Sequence, residues 1–175
     1  MADEKEEWFP AVDENGKVIG KATRRECHSG SMILHPVVHL HIFDSDGRLF
    51  LQKRSLTKDI QPGKWDTAVG GHVDYGEDIE TALRREAREE LGIADFMPEF
   101  NFSYLFRSNI ESELIYSYRT LYNGTLQTDP VEIDEGRFWQ ISEIERQIGQ
   151  GVFTPNFEHE FKLLQARVQE KDIER

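Results

Sequence analysis

In the stretch GHVDYGEDIETALRREAREELGI, residues 71–93, an acidic turn containing Gly76 runs into a segment made almost wholly of helix formers. From Asp78 the pattern is helical, and Gly92 stands where a helix ends, so the pattern predicts a helix over 78–91. On a wheel of about 100° per residue with Ile79 at zero, Ile79, Leu83, Ala87 and Leu91 span roughly 0° to 120°. Glu90 falls at about 20°, Glu86 at about 340° and Glu89 at about 280°, while Thr81, Arg84 and Arg88 take the opposite side. A solvated surface helix explains Arg85 and Glu89 as an i,i+4 pair worth about 0.2–0.5 kcal/mol. It leaves Glu86 and Glu90 unexplained. They are like charges four residues apart on the apolar side, and burying either alone costs several kcal/mol or forces it to protonate. A divalent cation removes the conflict, and an oxygen-rich site of this kind suits Mg²⁺ or Mn²⁺.

The whole chain sets the same requirement. Its 175 residues predict one domain with a real core, 38% hydrophobic and 31% charged. Asp and Glu number 33 against 21 Lys and Arg, a formal charge of -12. Nucleic-acid binding through phosphate attraction is therefore disfavoured, and an anionic substrate needs a local device that reverses the sign. Cys27, the single cysteine, excludes an intramolecular disulfide. The acidic MADEKEE start lacks a signal-peptide pattern, and no apolar run is long enough to span a bilayer, so a cytoplasmic protein without membrane contact is expected.

Outside the helix the period shortens to that of strands. Residues 9–21 read as a hairpin around Asn15-Gly16, and 36–54 as a second one turning at Asp44–Gly47. In PVVHLHIF (36–43) Val38, Leu40 and Ile42 share one face, which leaves His39 and His41 as polar residues on a half-exposed other face. After Pro62-Gly63 comes one alternating stretch, 65–73, with Trp65 as a packing anchor. Further strands are expected at 99–107, 113–122 and 135–141. Thr154-Pro155 opens a last helix with Phe157, Phe161, Leu164 and Val168 inward and His159 exposed.

Gly71, Glu77, Arg85, Glu86, Glu89, Glu90 and Gly92, with Ala87 and Ile93 at the aliphatic positions, match every fixed position of the Nudix box, and the chain resembles that superfamily. The resemblance implies an α/β fold, an α/β/α sandwich around a mixed β-sheet, with residues 1–30 as an N-terminal β extension of one domain. It also implies metal-dependent hydrolysis of a small-molecule diphosphate linked to another moiety, by attack of water on phosphorus. Glu86, Glu89 and Glu90, with the Gly70 carbonyl, are the implied ligands of Mg²⁺ or Mn²⁺. Glu86 and Glu89 are the implied bases, and Glu77 with Arg85 the orienting pair.

The stretches LHPVVHLHIF, QKRSLTKDIQPGKWDT and VGGH also resemble isopentenyl diphosphate isomerase and the Nudix hydrolases near it. That resemblance implies a second site for Zn²⁺, Mn²⁺ or Fe²⁺ made by His28, His35, His72, Glu111 and Glu113. It implies diphosphate contacts from Arg24, Arg54 and Lys58, an aromatic wall at Trp139, and allows a homodimer. The isomerase carries a cysteine where this chain has Gly70, and its own box is degraded, so hydrolysis is expected over the alternatives, prenyl diphosphate isomerisation and non-catalytic sensing of a nucleotide metabolite.

Overall fold

The computed structural model describes residues 6–58, 60–128 and 133–173. Its strands are β1 (Trp8–Val12), β2 (Val18–Thr23), β3 (Leu34–Phe43), β4 (Leu49–Arg54), β5 (Trp65–Thr67), β6 (Val69–His72), β7 (Glu99–Arg107), β8 (Ser112–Leu121) and β9 (Ile133–Trp139). Its helices are α1 (Arg24–Cys27), α2 (Ile79–Leu91), α3 (Ile141–Gln147) and α4 (Pro155–Ile173).

β1 and β2 form the expected hairpin, with Gly16 at φ 85° in its turn. The remaining strands make one mixed sheet in the order β5-β4-β3-β8-β7, in which β3 and β8 run parallel, while β6 joins β3 and β9 joins β4. The alternation of β3 sends its two faces to two cores. Val38, Leu40 and Ile42 pack on Ala82, Leu83, Ala87 and Leu91 of α2. On the far side, Leu49 and Leu51 of β4 pack with Trp65, Trp139, Ile144 of α3, and Phe157 and Phe161 of α4. The result is a helix layer on each side of a mixed sheet, as expected.

Three local readings change. The stretch 65–73 is two strands that separate at Ala68: β5 pairs with β4, whereas β6 crosses over to pair with β3. β3 and β4 consequently touch in register only at Phe43↔Leu49 and diverge beyond it. The sheet splits there, and the split exposes backbone of β6 to α2. The strand expected at 135–141 ends at Trp139, because Gln140 turns the chain into α3, its N–H donating to Glu143 Oε1 at 3.3 Å. Phe157, Phe161 and Leu164 are buried as expected, while the side chain of Val168 lies outside the described residues. No helix among the described residues is long and apolar enough to cross a membrane.

Candidate functional site

α2 forms where the sequence places it. Asp78 accepts from Thr81 N–H at 2.8 Å, and Gly92 closes the helix at φ 68°, ψ 21°. The buried stripe of Leu83, Ala87 and Leu91 fixes the rotation of the helix, so Glu86 and Glu90 are turned toward the split sheet. Arg85 is the hub. Its Nε and Nη2 take Glu77 at 2.9 and 3.0 Å, Nη1 reaches Glu86 Oε1 at 2.8 Å and Glu89 Oε2 at 3.4 Å, and Nη2 also donates to the His72 carbonyl at 3.0 Å. The Arg85 hydrogen bonds hold the Glu77 carboxyl below its ordinary range. Burial raises Glu86, against the pull of Arg85.

Glu90 has no such cation. Its Oε2 accepts the Gly70 N–H at 3.0 Å, and Gln52 donates to it as well, yet burial and the charge of Glu86 push it well above the carboxylate range. Two acids held back from ionising, on one side of a helix, with neutral donors on one of them, fit a divalent cation.

A second convergence lies at the junction of β3, β6, β8 and α1. His28, His35, His72 and Glu111 each aim one ligand atom into a space where all four atoms lie within 4.8 Å of one another. His28 Nε2 is 3.2 Å from His72 Nε2 and 3.0 Å from Glu111 Oε2, which is 3.8 Å from His35 Nε2. His35 Nδ1 donates to the Ile33 carbonyl at 3.0 Å, leaving the Nε2 lone pair aimed inward. His35 Nε2 and Glu111 Oε2 are buried without a hydrogen bond. Phe9 stacks on the His72 ring with centroids 4.5 Å apart, so the N-terminal hairpin walls the cluster. Burial keeps His35 below its ordinary range, and burial with the neighbouring imidazoles keeps His72 well below it, so both rings are neutral, as ligands must be. Imidazole with carboxylate fits Zn²⁺, Mn²⁺ or Fe²⁺. Glu113 stands opposite His35 in the β3–β8 register but outside this group of four. Burial, with the charge of Glu111, raises it to about 7.

The family model described as NUDIX domain matches residues 33–157, most of the chain. The chain belongs to the Nudix family. A Nudix hydrolase of Yersinia pestis is 30% identical over 166 residues, covering 95% of this chain and 90% of the relative. An isopentenyl-diphosphate Delta-isomerase of Leifsonia xyli is 33% identical over 130 residues, 70% of each chain. A crystal structure from Deinococcus radiodurans superposes with a TM-score of 0.73 at 27% identity, over 85% of this chain and 92% of that one. This Nudix protein is a hydrolase acting on diphosphate bonds.

The remaining residues singled out in the sequence are scattered among different settings. Trp139 is 3% exposed, in edge contact with Trp65 and Phe153, and capped by Arg137 at 3.7 Å. Its place at the end of β9 turns it into the core under α3 and α4. Arg24 pairs with Glu7 at 2.8 Å on the surface, though its charge reaches His72. Arg54 donates to the Ile60 carbonyl at 3.0 Å and lies 3.8 Å from Asp66, and Lys58 is half-buried in the loop after β4. At Gly70 the N–H donates to Glu90 Oε2 at 3.0 Å.

His39 and His41 are corrections. They are buried, and both bind Glu160 of α4, which is fully buried: His39 Nδ1 is 2.7 Å from Oε1, and His41 Nε2 bonds Oε2. Tyr104 donates to the same carboxylate at 2.6 Å and Ser117 at 3.0 Å. Burial disfavours charge on both partners, but their mutual attraction outweighs it. Glu160 is held well below its ordinary range and His39 is raised to about 9. Glu160 is also a residue the sequence reading missed. A signal existed: it lies three residues after Phe157 and four before Leu164, a carboxylate on an apolar stripe like Glu86 and Glu90.

Proposed function

We propose that this Nudix protein is a metal-dependent pyrophosphohydrolase that cleaves a small-molecule diphosphate linked to a second moiety, such as a nucleoside diphosphate derivative, with water attacking phosphorus. The observation that carries the reading is the half-buried Glu86–Glu90 pair, raised in pKa and facing the split in the sheet. Mg²⁺ or Mn²⁺ held by Glu86, Glu89 and Glu90, with the Gly70 carbonyl, supplies charge neutralisation of the diphosphate and a lowered pKa for water. Arg85, clamped by Glu77, keeps Glu86 and Glu89 in one arrangement. Glu86 and Glu89 are the acceptors for the proton of the attacking water. His28, His35, His72 and Glu111, joined by Glu113, hold the second ion, and Arg24, Arg54 and Lys58 meet the outer phosphate oxygens.

The tests are phosphate or pyrophosphate release with Mg²⁺ or Mn²⁺ over nucleoside di- and triphosphates, nucleotide sugars, dinucleotides and isopentenyl diphosphate, with Glu90→Gln as control. Release by the wild-type protein and at least a hundredfold less by the control is the expected result. Isomerisation of isopentenyl diphosphate without release would overturn it, and Gly70, which has no side chain to carry a proton, argues against that outcome.

A further inference from the structure

His39 stands directly across from Gly70 in the β3–β6 register. Its ring is fixed from behind, because Glu160 takes Nδ1 on one oxygen while Tyr104, Ser117 and His41 occupy the rest of the carboxylate. Turning the ring would leave a buried carboxylate short of a partner, so Nε2 is held facing away from α4. Nε2 has no hydrogen-bond partner among the described residues, and it is not sealed, the side chain being 11% exposed.

What it faces is Gly70. A Cβ added there would lie 3.4 Å from His39 Cδ2 and 3.7 Å from Nε2, an ordinary contact, and Gly70 is not among the positive-φ glycines. Neither backbone conformation nor a clash demands glycine at this position. Its lack of a side chain leaves the edge of the imidazole uncovered. The same Gly70 donates its N–H to Glu90 Oε2 at 3.0 Å, so the uncovered edge lies one residue from a carboxylate of the box. The carboxylates of Asp66 and Glu113 act on the His39 ring, and Arg54, the nearby guanidinium, is engaged with Asp66 and the Ile60 carbonyl. With Nδ1–H given to Glu160 and the ion pair favouring the charged ring, Nε2 also carries a proton, and a diphosphate entering there meets a fixed nitrogen donor beside the cations named above.

We infer that His39 binds a non-bridging oxygen of the diphosphate through Nε2–H, and that Glu160 is the positioning residue that orients the ring and balances its charge. The inference rests on the diphosphate hydrolysis proposed above. His39 makes and breaks no covalent bond; it adds a hydrogen bond that the metal-binding carboxylates cannot supply.

Binding of methylenediphosphonate, a non-hydrolysable diphosphate, to the Mg²⁺-loaded protein by calorimetry tests it, with Mg²⁺ alone titrated in parallel. The expected result is a loss of at least tenfold in affinity for His39→Leu with Mg²⁺ binding unchanged, and recovery to within about threefold in His39→Gln, whose amide restores an N–H. Should His39→Leu fail to fold around the abandoned Glu160, His39→Asn, whose shorter amide can keep a donor toward Glu160 and offers none toward Gly70, takes its place. Equal binding by wild type and the leucine variant overturns this inference alone. No binding by the wild-type protein overturns the diphosphate site, and this inference with it.

Discussion

Gly71 shows how closely single residues are drawn around the site. Its φ is unexceptional, yet a Cβ there would lie 2.1 Å from Glu86 Cδ and 2.4 Å from Cγ, so alanine must expel the Glu86 side chain from its place beside Arg85. Gly71→Ala is expected to leave thermal unfolding nearly unchanged and to lower turnover by about 10- to 100-fold, the usual cost of disturbing the support of a metal ligand. Unaltered turnover would show that Glu86 need not occupy that position. Glu113 carries a pH signature. Its carboxyl is raised to about 7, and it must ionise to serve as a ligand, so ion uptake at the histidine cluster is expected to strengthen as pH rises through neutrality and to release a proton. His35 and His72 are both held below their ordinary range, His72 well below it, so they lose their protons at lower pH than a free imidazole. Zn²⁺ titrations at several pH values check it, and Glu113→Gln is expected to flatten the profile.

At the scale of elements, α2 was legible because everything that makes it is local: the Asp78 cap, the apolar stripe and the left-handed Gly92. Gly92→Ala forces a β-carbon into that left-handed conformation and is expected to cost about 1–2 kcal/mol, readable as a lower melting temperature. The division of 65–73 into β5 and β6 was not legible, since alternation reports which face a residue takes and not which strand it pairs with. The burial of His39 and His41 was hidden for the same reason, their partner lying 119 or more residues away on α4. That clamp carries its own expectation. Removing one partner of a buried pair costs about 3–5 kcal/mol, so Glu160→Gln is expected to destabilise the protein by that order at pH 7. The sign with pH follows from the depressed Glu160: its stabilisation is complete above the unfolded value of 4.5 and is lost as pH falls through the lower folded value. Melting curves of the two proteins are therefore expected to converge on acidification, and a constant gap down to strong acid would contradict the ion pair.

The whole molecule places two donor clusters on opposite sides of one short strand. β6 gives Gly70 and Gly71 to the box glutamates and His72, its last residue, to the histidine cluster. The box site was readable from the sequence because its spacing lies within one helix, and the second only by likeness to the isomerase, its members coming from α1, β3, β6 and the start of β8. An acidic chain of net charge -12 with such clusters is expected to gain stability from the ions it binds. At 100 times the dissociation constant the gain is about 2.7 kcal/mol, and a chelator should reverse it. The most direct test of water attack on phosphorus at this site is mass spectrometry of the products formed in ¹⁸O-labelled water with Mg²⁺ from the same diphosphates. The account predicts one ¹⁸O in a phosphate-bearing product and none in the freed moiety beyond its phosphate. Label on carbon, or an isomerised substrate without label, would contradict it.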